Sequence, residues 1–135
     1  MAVFAIDLDG TLIAWGEDHR VPGPWLPGAK EALQALVLGG HEVIVHSCRV
    51  TWPPGGGLDG VVALLAKAGF APYLVEVSPE SGLHIRHAAA SSAPGPALGV
   101  WVGQGKPVAD LYIDDRALAF DGDWAAICKS ILPDR

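Results

Sequence analysis

Val3-Phe4-Ala5-Ile6-Asp7-Leu8-Asp9-Gly10-Thr11-Leu12 is an apolar run that ends in two carboxylates and a glycine. Its apolar residues do not alternate strictly with polar ones. That pattern predicts a central parallel strand covered on both faces. A strand that ends in Asp-x-Asp-Gly sets both acids at the lip of a sheet, where ligands of open α/β folds bind. Turn chemistry alone would also use Asp and Gly here, so the rest of the chain has to discriminate.

Outward from that strand, residues 13 to 26 hold Gly16, Pro22, Gly23 and Pro24 and read as a loop or small flap. Pro27-Gly28-Ala29 opens a helix carrying Ala29, Leu33, Leu36 and Val37 at helical spacing, closed by Gly39-Gly40. A second strand, His41 to His46, stops at Ser47-Cys48-Arg49. Residues 51 to 57 are a break, Leu58 to Ala68 a helix closed by Gly69, and Tyr73 to Val77 a third strand.

Residues 78 to 107 show no sustained period. A short helix ending at Ala88 to Ala90 and a strand or flap at Leu98 to Val102 are expected there. Ala109 to Ile113 is a fourth strand running into Asp114-Asp115. Leu118 to Phe120 then reads as a small edge strand, and Asp123 as the cap of a last helix, Trp124 to Leu132. Strand and helix in alternation imply right-handed βαβ crossovers and a mostly parallel sheet.

At 135 residues there is room for one domain. Half the residues are hydrophobic and 18% are charged, which suits a well-buried core rather than disorder. A net charge of -6 disfavours broad binding to nucleic acid or acidic membranes. Cys48 and Cys128 lack partners at metal-ligand spacing and are expected to be free thiols. The apolar start reaches Asp7 too soon for a signal sequence or membrane span, so a soluble, cytoplasmic protein is expected.

Three strands thus end in polar clusters: Asp7 and Asp9, Ser47 and Arg49, Asp114 and Asp115. In a parallel sheet these ends face one edge and converge. Magnesium prefers oxygen ligands and keeps several waters, so Asp7, the carbonyl of Asp9 and Asp114 suffice to hold it beside a substrate phosphate. Asp7 is then the candidate nucleophile, forming an acyl phosphate, and Asp9 the candidate acid/base. Arg49 is placed to clamp phosphate oxygens, against the plainer expectation of a surface pair with Asp115 or Glu76. Trp15 and Trp52 follow the first and second strands and border the same region, suited to packing or to stacking on a base or sugar.

The chain resembles the haloacid dehalogenase (HAD) superfamily. Asp7-Leu8-Asp9-Gly10-Thr11 is similar to its first motif, Val43-Ile44-Val45-His46-Ser47 to its second, and Tyr112-Ile113-Asp114-Asp115 to its fourth. The resemblance implies a three-layer, Rossmann-like α/β fold with a central parallel sheet, its four expected strands in the order 3-2-1-4 with an edge strand. It implies a magnesium-dependent phosphomonoester hydrolase, with Asp7 as nucleophile and Asp9 as general acid/base. Ser47 becomes a phosphate donor, and Asp114 a metal ligand assisted by Asp115, completing a metal set with Asp7 and Asp9.

The third-motif lysine departs from the family pattern. Lys106, in Gly105-Lys106-Pro107, lies only eight residues before Asp114 and is taken as the phosphate-binding cation against a plain exposed turn lysine, with Arg86, at the more usual distance, as its replacement. His84 and His87 look like a metal pair, but no third ligand lies near them in the sequence. With no room for a cap, residues 78 to 107 are expected to form at most a flap or lid. The resemblance is to the capless group, with open sites or closure by homo-oligomerisation. Its substrate would be a phosphorylated small molecule or a nucleotide. Ser47-x-Arg49 is similar to the 3′-phosphatase domain of phage polynucleotide kinase, which admits a nucleic-acid end as substrate. A catalytically inactive phosphate-binding or interaction module on the same fold is the rival reading.

Overall fold

Six strands form one sheet in the computed structural model, which describes residues 1–18, 20–52, 57–89 and 92–132. In chain order they are β1 (Val3–Ile6), β2 (Glu42–Val45), β3 (Ala71–Val77), β4 (His84–Ala89), β5 (Ala97–Trp101) and β6 (Leu111–Ile113). The helices are α1 (Ala29–Leu38), α2 (Gly57–Lys67) and α3 (Trp124–Ile131). The order across the sheet is β4-β3-β5-β2-β1-β6, and every pairing is parallel except β3 with β4.

The expected order 3-2-1-4 holds for the half containing β2, β1 and β6 and needs correction in the other half. The third strand does not pair with the second, because β5 lies between them, with Tyr73 and Ile44 both in register with Gly99. Residues 78 to 107, expected as at most a flap or lid with a strand or flap at Leu98 to Val102, supply two strands to the sheet: β4, which was not expected, and β5, which matches the expected strand within one residue. A strand runs through Ala89 where a short helix was expected, and residue 90 lies outside the described residues. Leu118 to Phe120 form no strand. Residues 53–56 of the expected break are likewise outside the described residues.

Alternation along the strands divides the core. Ile6, Val43, Val45, Leu98 and Val100 point to the face covered by α1 and α2, where they pack with Leu33 and Leu65. Ile44, Val75 and Trp101 point the other way. The link between β5 and β6 is tied to this second face: Trp101 Nε1 donates to Gly105 O at 3.0 Å, and Val108 N–H donates to His84 Nε2 at 3.0 Å. A three-layer arrangement calls for a helix here, yet α3 buries none of its residues. Asp123 caps α3 as expected, accepting from Ala126 N–H at 3.0 Å. Among the described residues no helix is long and apolar enough to cross a membrane.

From β1 the chain proceeds to β2 on one side, while β6 closes on β1 from the other. The gap between the ends of β1 and β6 is therefore a topological switch point, the place where open α/β sheets bind ligands.

Candidate active site

Strands β1 and β6 end level with each other, Ile6 in register with Ile113, and Asp7 N–H extends the ladder by donating to Ile113 O at 2.9 Å. The residues that follow each strand are therefore neighbours across the switch point. One carboxylate oxygen from each of Asp7, Asp114 and Asp115 lies within 4.8 Å of the other two. This is the metal-sized acidic group found among the described residues. Asp7 is half-buried and the other two are exposed.

Burial, then the charges of Asp114, Asp115 and Asp9, push the Asp7 carboxyl up to about 6, against a lowering contribution from the Leu8 backbone N–H. Three mutually repelling carboxylates are a donor set that a hard divalent cation relieves, so these residues fit magnesium.

Asp9 stands apart from the trio. Leu8, wholly buried in the core, separates it from Asp7 as strand alternation requires. Its carboxylate is gripped by Arg49: Nε to Oδ2 at 2.8 Å and Nη2 to Oδ1 at 2.8 Å. Both residues are almost sealed from solvent, at 3% and 2% exposure. Arg49 therefore pairs with neither Asp115 nor Glu76. The guanidinium also lies 5.4 Å from the Trp52 ring centroid.

Ser47, buried at the end of β2, accepts from Arg49 N–H at 3.1 Å and so caps the 3-10 turn Cys48–Thr51, leaving its own hydroxyl hydrogen to donate. Burial and the charges of Asp7 and Asp9 push the Cys48 thiol up, so a thiolate at this lip is disfavoured and the carboxylates remain the nucleophile candidates.

The two candidate cations separate. Arg86 is bound by both oxygens of Glu42, the first residue of β2, at the end of that strand away from Ser47. Tyr73 donates to the same carboxylate at 3.0 Å, and Arg86 together with this phenol holds Glu42 below the usual carboxylate range against its burial. Lys106 lies with Nζ 4.8 Å from the Tyr112 ring centroid. Burial, then the charge of Lys106, holds His46 below its ordinary value, while Asp114 opposes. His46 immediately precedes Ser47, so Lys106 acts electrostatically at the end of β2. His84 and His87 do not come together as ligands: His84 lies 3.8 Å from Glu42 and His87 2.9 Å from Glu76.

Sequence reasoning expects Arg116, directly after the acidic pair, to orient those carboxylates, and passes over the bonds of Thr11 and Trp15 in the lattice that holds the β6 end. Thr11 Oγ1 accepts from Asp115 N–H at 3.1 Å, Trp15 Nε1 donates to Asp115 Oδ2 at 3.3 Å, and Arg116 stacks 4.6 Å from the Trp15 ring centroid. Asp114 Oδ1 accepts from Arg116 N–H at 2.8 Å. The signal for Thr11 was its place directly after Gly10.

Gly10 itself adopts φ +83°, and a Cβ on it would overlap Asp115 Oδ2 and Trp15 Nε1. Gly10→Ala is expected to cost at least ~1–2 kcal/mol from the left-handed backbone alone and to spread the acidic trio. Urea unfolding together with magnesium titration checks this; unchanged stability and unchanged metal affinity would contradict it.

Scans against protein-family models, curated proteins and solved structures each returned no match to the chain.

Proposed function

We propose that the protein is a magnesium-dependent phosphomonoester hydrolase working through an aspartyl-phosphate on Asp7. The observation that carries this reading is the meeting of Asp7 with Asp114 and Asp115, drawn from opposite ends of the chain, at the switch point of a parallel sheet. Asp7, Asp114 and Asp115 would hold the cation. When bound, magnesium supplies charge neutralisation, which lets an anionic nucleophile approach an anionic phosphate.

The chain's own groups do the rest. An Asp7 carboxylate oxygen attacks phosphorus and forms the acyl phosphate as the bond to the leaving oxygen breaks. Ser47 donates to a phosphate oxygen, and Lys106 supplies positive charge near the end of β2. Asp9 gives a proton to the leaving oxygen and later takes one from the water that attacks phosphorus, regenerating Asp7 and releasing phosphate.

In the structure both Asp9 oxygens accept from Arg49. The acid/base role therefore requires that Arg49 let go, and an arriving phosphate, itself a bidentate acceptor for guanidinium, is the natural competitor. This same ion pair favours the rival reading, an inactive phosphate-binding module in which Arg49 and Asp9 are structural. Within the enzyme reading, Ser47-x-Arg49 with Trp15 and Trp52 near the lip makes a nucleotide or a 3′-phosphorylated nucleic-acid end the substrate to set against small phosphate esters.

The test is turnover of a chromogenic phosphate ester, a nucleoside monophosphate and a 3′-phosphorylated oligonucleotide, with magnesium and with chelator. Magnesium-dependent release of phosphate from at least one is expected. Failure with all, alongside measurable phosphate binding, selects the inactive module.

A further inference from the structure

Two of the three metal-facing acids stand where packing cannot hold them. Strand β6 is an edge strand whose residues Leu111–Ile113 are all exposed, and Asp114 and Asp115 beyond it are exposed as well. Carboxylates this close repel one another, so left to themselves they swing apart into solvent. Acids so placed serve a cation only if hydrogen bonds fix their directions.

That hold comes from the other side of the switch point. Thr11 fixes the backbone of Asp115. Its carboxylate is met by Trp15, whose indole N–H donates to Oδ2 while the ring lies against the Arg116 guanidinium. The backbone N–H of the same arginine donates to Asp114 Oδ1. One indole is thus joined to Asp115 directly and to Asp114 through Arg116.

Trp15 has a firm base although it is 46% exposed. Ile13, wholly buried, bridges to Trp25, Ala14 N–H donates to Pro24 O at 2.7 Å, and Leu26 N–H donates to Leu12 O at 2.9 Å. This short ladder stops one residue before the indole. A Cβ on Gly23 would lie 2.2 Å from Ala14 O, so only a glycine lets the two segments close up.

We infer that Trp15 is a positioning residue of the metal site: its N–H sets the Asp115 carboxylate, and its ring steadies the Arg116 turn that sets Asp114. The inference rests on the metal reading of the acidic trio. It places the indole beside the ligands rather than against the substrate, since Asp115 takes its N–H and Arg116 one of its faces.

Magnesium titration of the full chain by calorimetry, without substrate, tests this. Trp15→Phe keeps a ring for Arg116 but lacks the N–H, and is expected to weaken magnesium binding about tenfold with a nearly unchanged urea midpoint. Trp15→His returns an Nε2–H at the same place in a five-membered ring. At about pH 8, where imidazole is neutral, it is expected to recover most of the loss. In proton–nitrogen correlation spectra the indole signal absent from Trp15→Phe should move in the wild-type protein with the same midpoint as the heat.

A wild-type chain that binds no magnesium removes the metal reading and this inference together. Wild-type binding that Trp15→Phe leaves unmoved, or a loss that Trp15→His does not restore, overturns the positioning role and leaves the metal reading standing. A lowered urea midpoint with unmoved magnesium affinity does the same, because it makes Trp15 structural only.

Discussion

Asp7→Asn is expected to lower metal-dependent turnover by at least ~10³-fold while making the metal-free protein more stable at neutral pH. The two halves of that result share one cause. In the folded chain burial and three neighbouring carboxylates raise Asp7 from 3.8 to about 6. A carboxyl whose folded value is raised binds protons more tightly when folded, so its contribution is fully favourable only below the unfolded value. Stability is lost as pH rises from 3.8 through about 6, and the penalty is complete above that. Asparagine keeps the shape and carries no charge, and so escapes the penalty.

Because Asp7 is only half-buried, solvent screening reduces the effect to on the order of 1 kcal/mol. Melting curves in chelator at pH 5 and pH 7 read it directly: wild-type protein should lose stability between the two, and the difference should shrink in the variant. Magnesium should restore the wild-type protein at pH 7 and leave Asp7→Asn nearly unchanged. Retained turnover in the variant would remove Asp7 as the nucleophile. Retained turnover with an unchanged pH dependence would mean that the acidic trio does not act as a unit.

The parts legible in the sequence were those in which one physical rule acted alone. β1 and β2 are short, apolar and internal, β6 is short and apolar at one edge, and polar residues mark the ends of all three, so both their existence and the shared edge followed from pattern. β5 was legible only as a strand or flap, because Gly99 interrupts the apolar run and Pro96 precedes it, leaving little β-propensity to decide between the two.

β4 failed for a different reason. It is the edge strand opposite β6, and His84, Arg86 and His87 give it a polar composition that only its pairing with β3 makes extended. Strand order then went wrong with β5, since four strands in a sequence can be ordered without ever revealing that a fifth lies between them. Arg86 illustrates the limit of spacing as evidence. It sits at a suitable distance along the chain, yet Glu42 holds it at the far end of β2. Sequence also offered Arg49 several acids, and nothing in periodicity says which of them shares its burial.

Arg49→Ala is expected to destabilise the protein by ~3–5 kcal/mol, the cost of leaving a buried carboxylate without its partner. Asp9→Ala should also destabilise the protein, because it removes the carboxylate that neutralises a buried guanidinium. Removing both at once with well-packed apolar residues, Arg49→Met with Asp9→Leu, should recover most of the loss, since the desolvation of two ions disappears with them. A double-mutant cycle in urea measures the coupling; single variants within about 1 kcal/mol of wild type would show that the pair is not the buried ion pair drawn here.

Arg49→Lys separates charge from geometry. An ammonium cannot reproduce the two parallel bonds to Asp9 or to a phosphate, so part of the stability should return without the bidentate grip. If Arg49 exchanges Asp9 for phosphate in the working enzyme, the lysine variant should show a raised KM and a smaller change in kcat. If the ion pair is only structural, stability should fall with KM unmoved. Since apolar residues would fill this space at least as well, a functional exchange gives a reason for burying two ions where the strand ends meet.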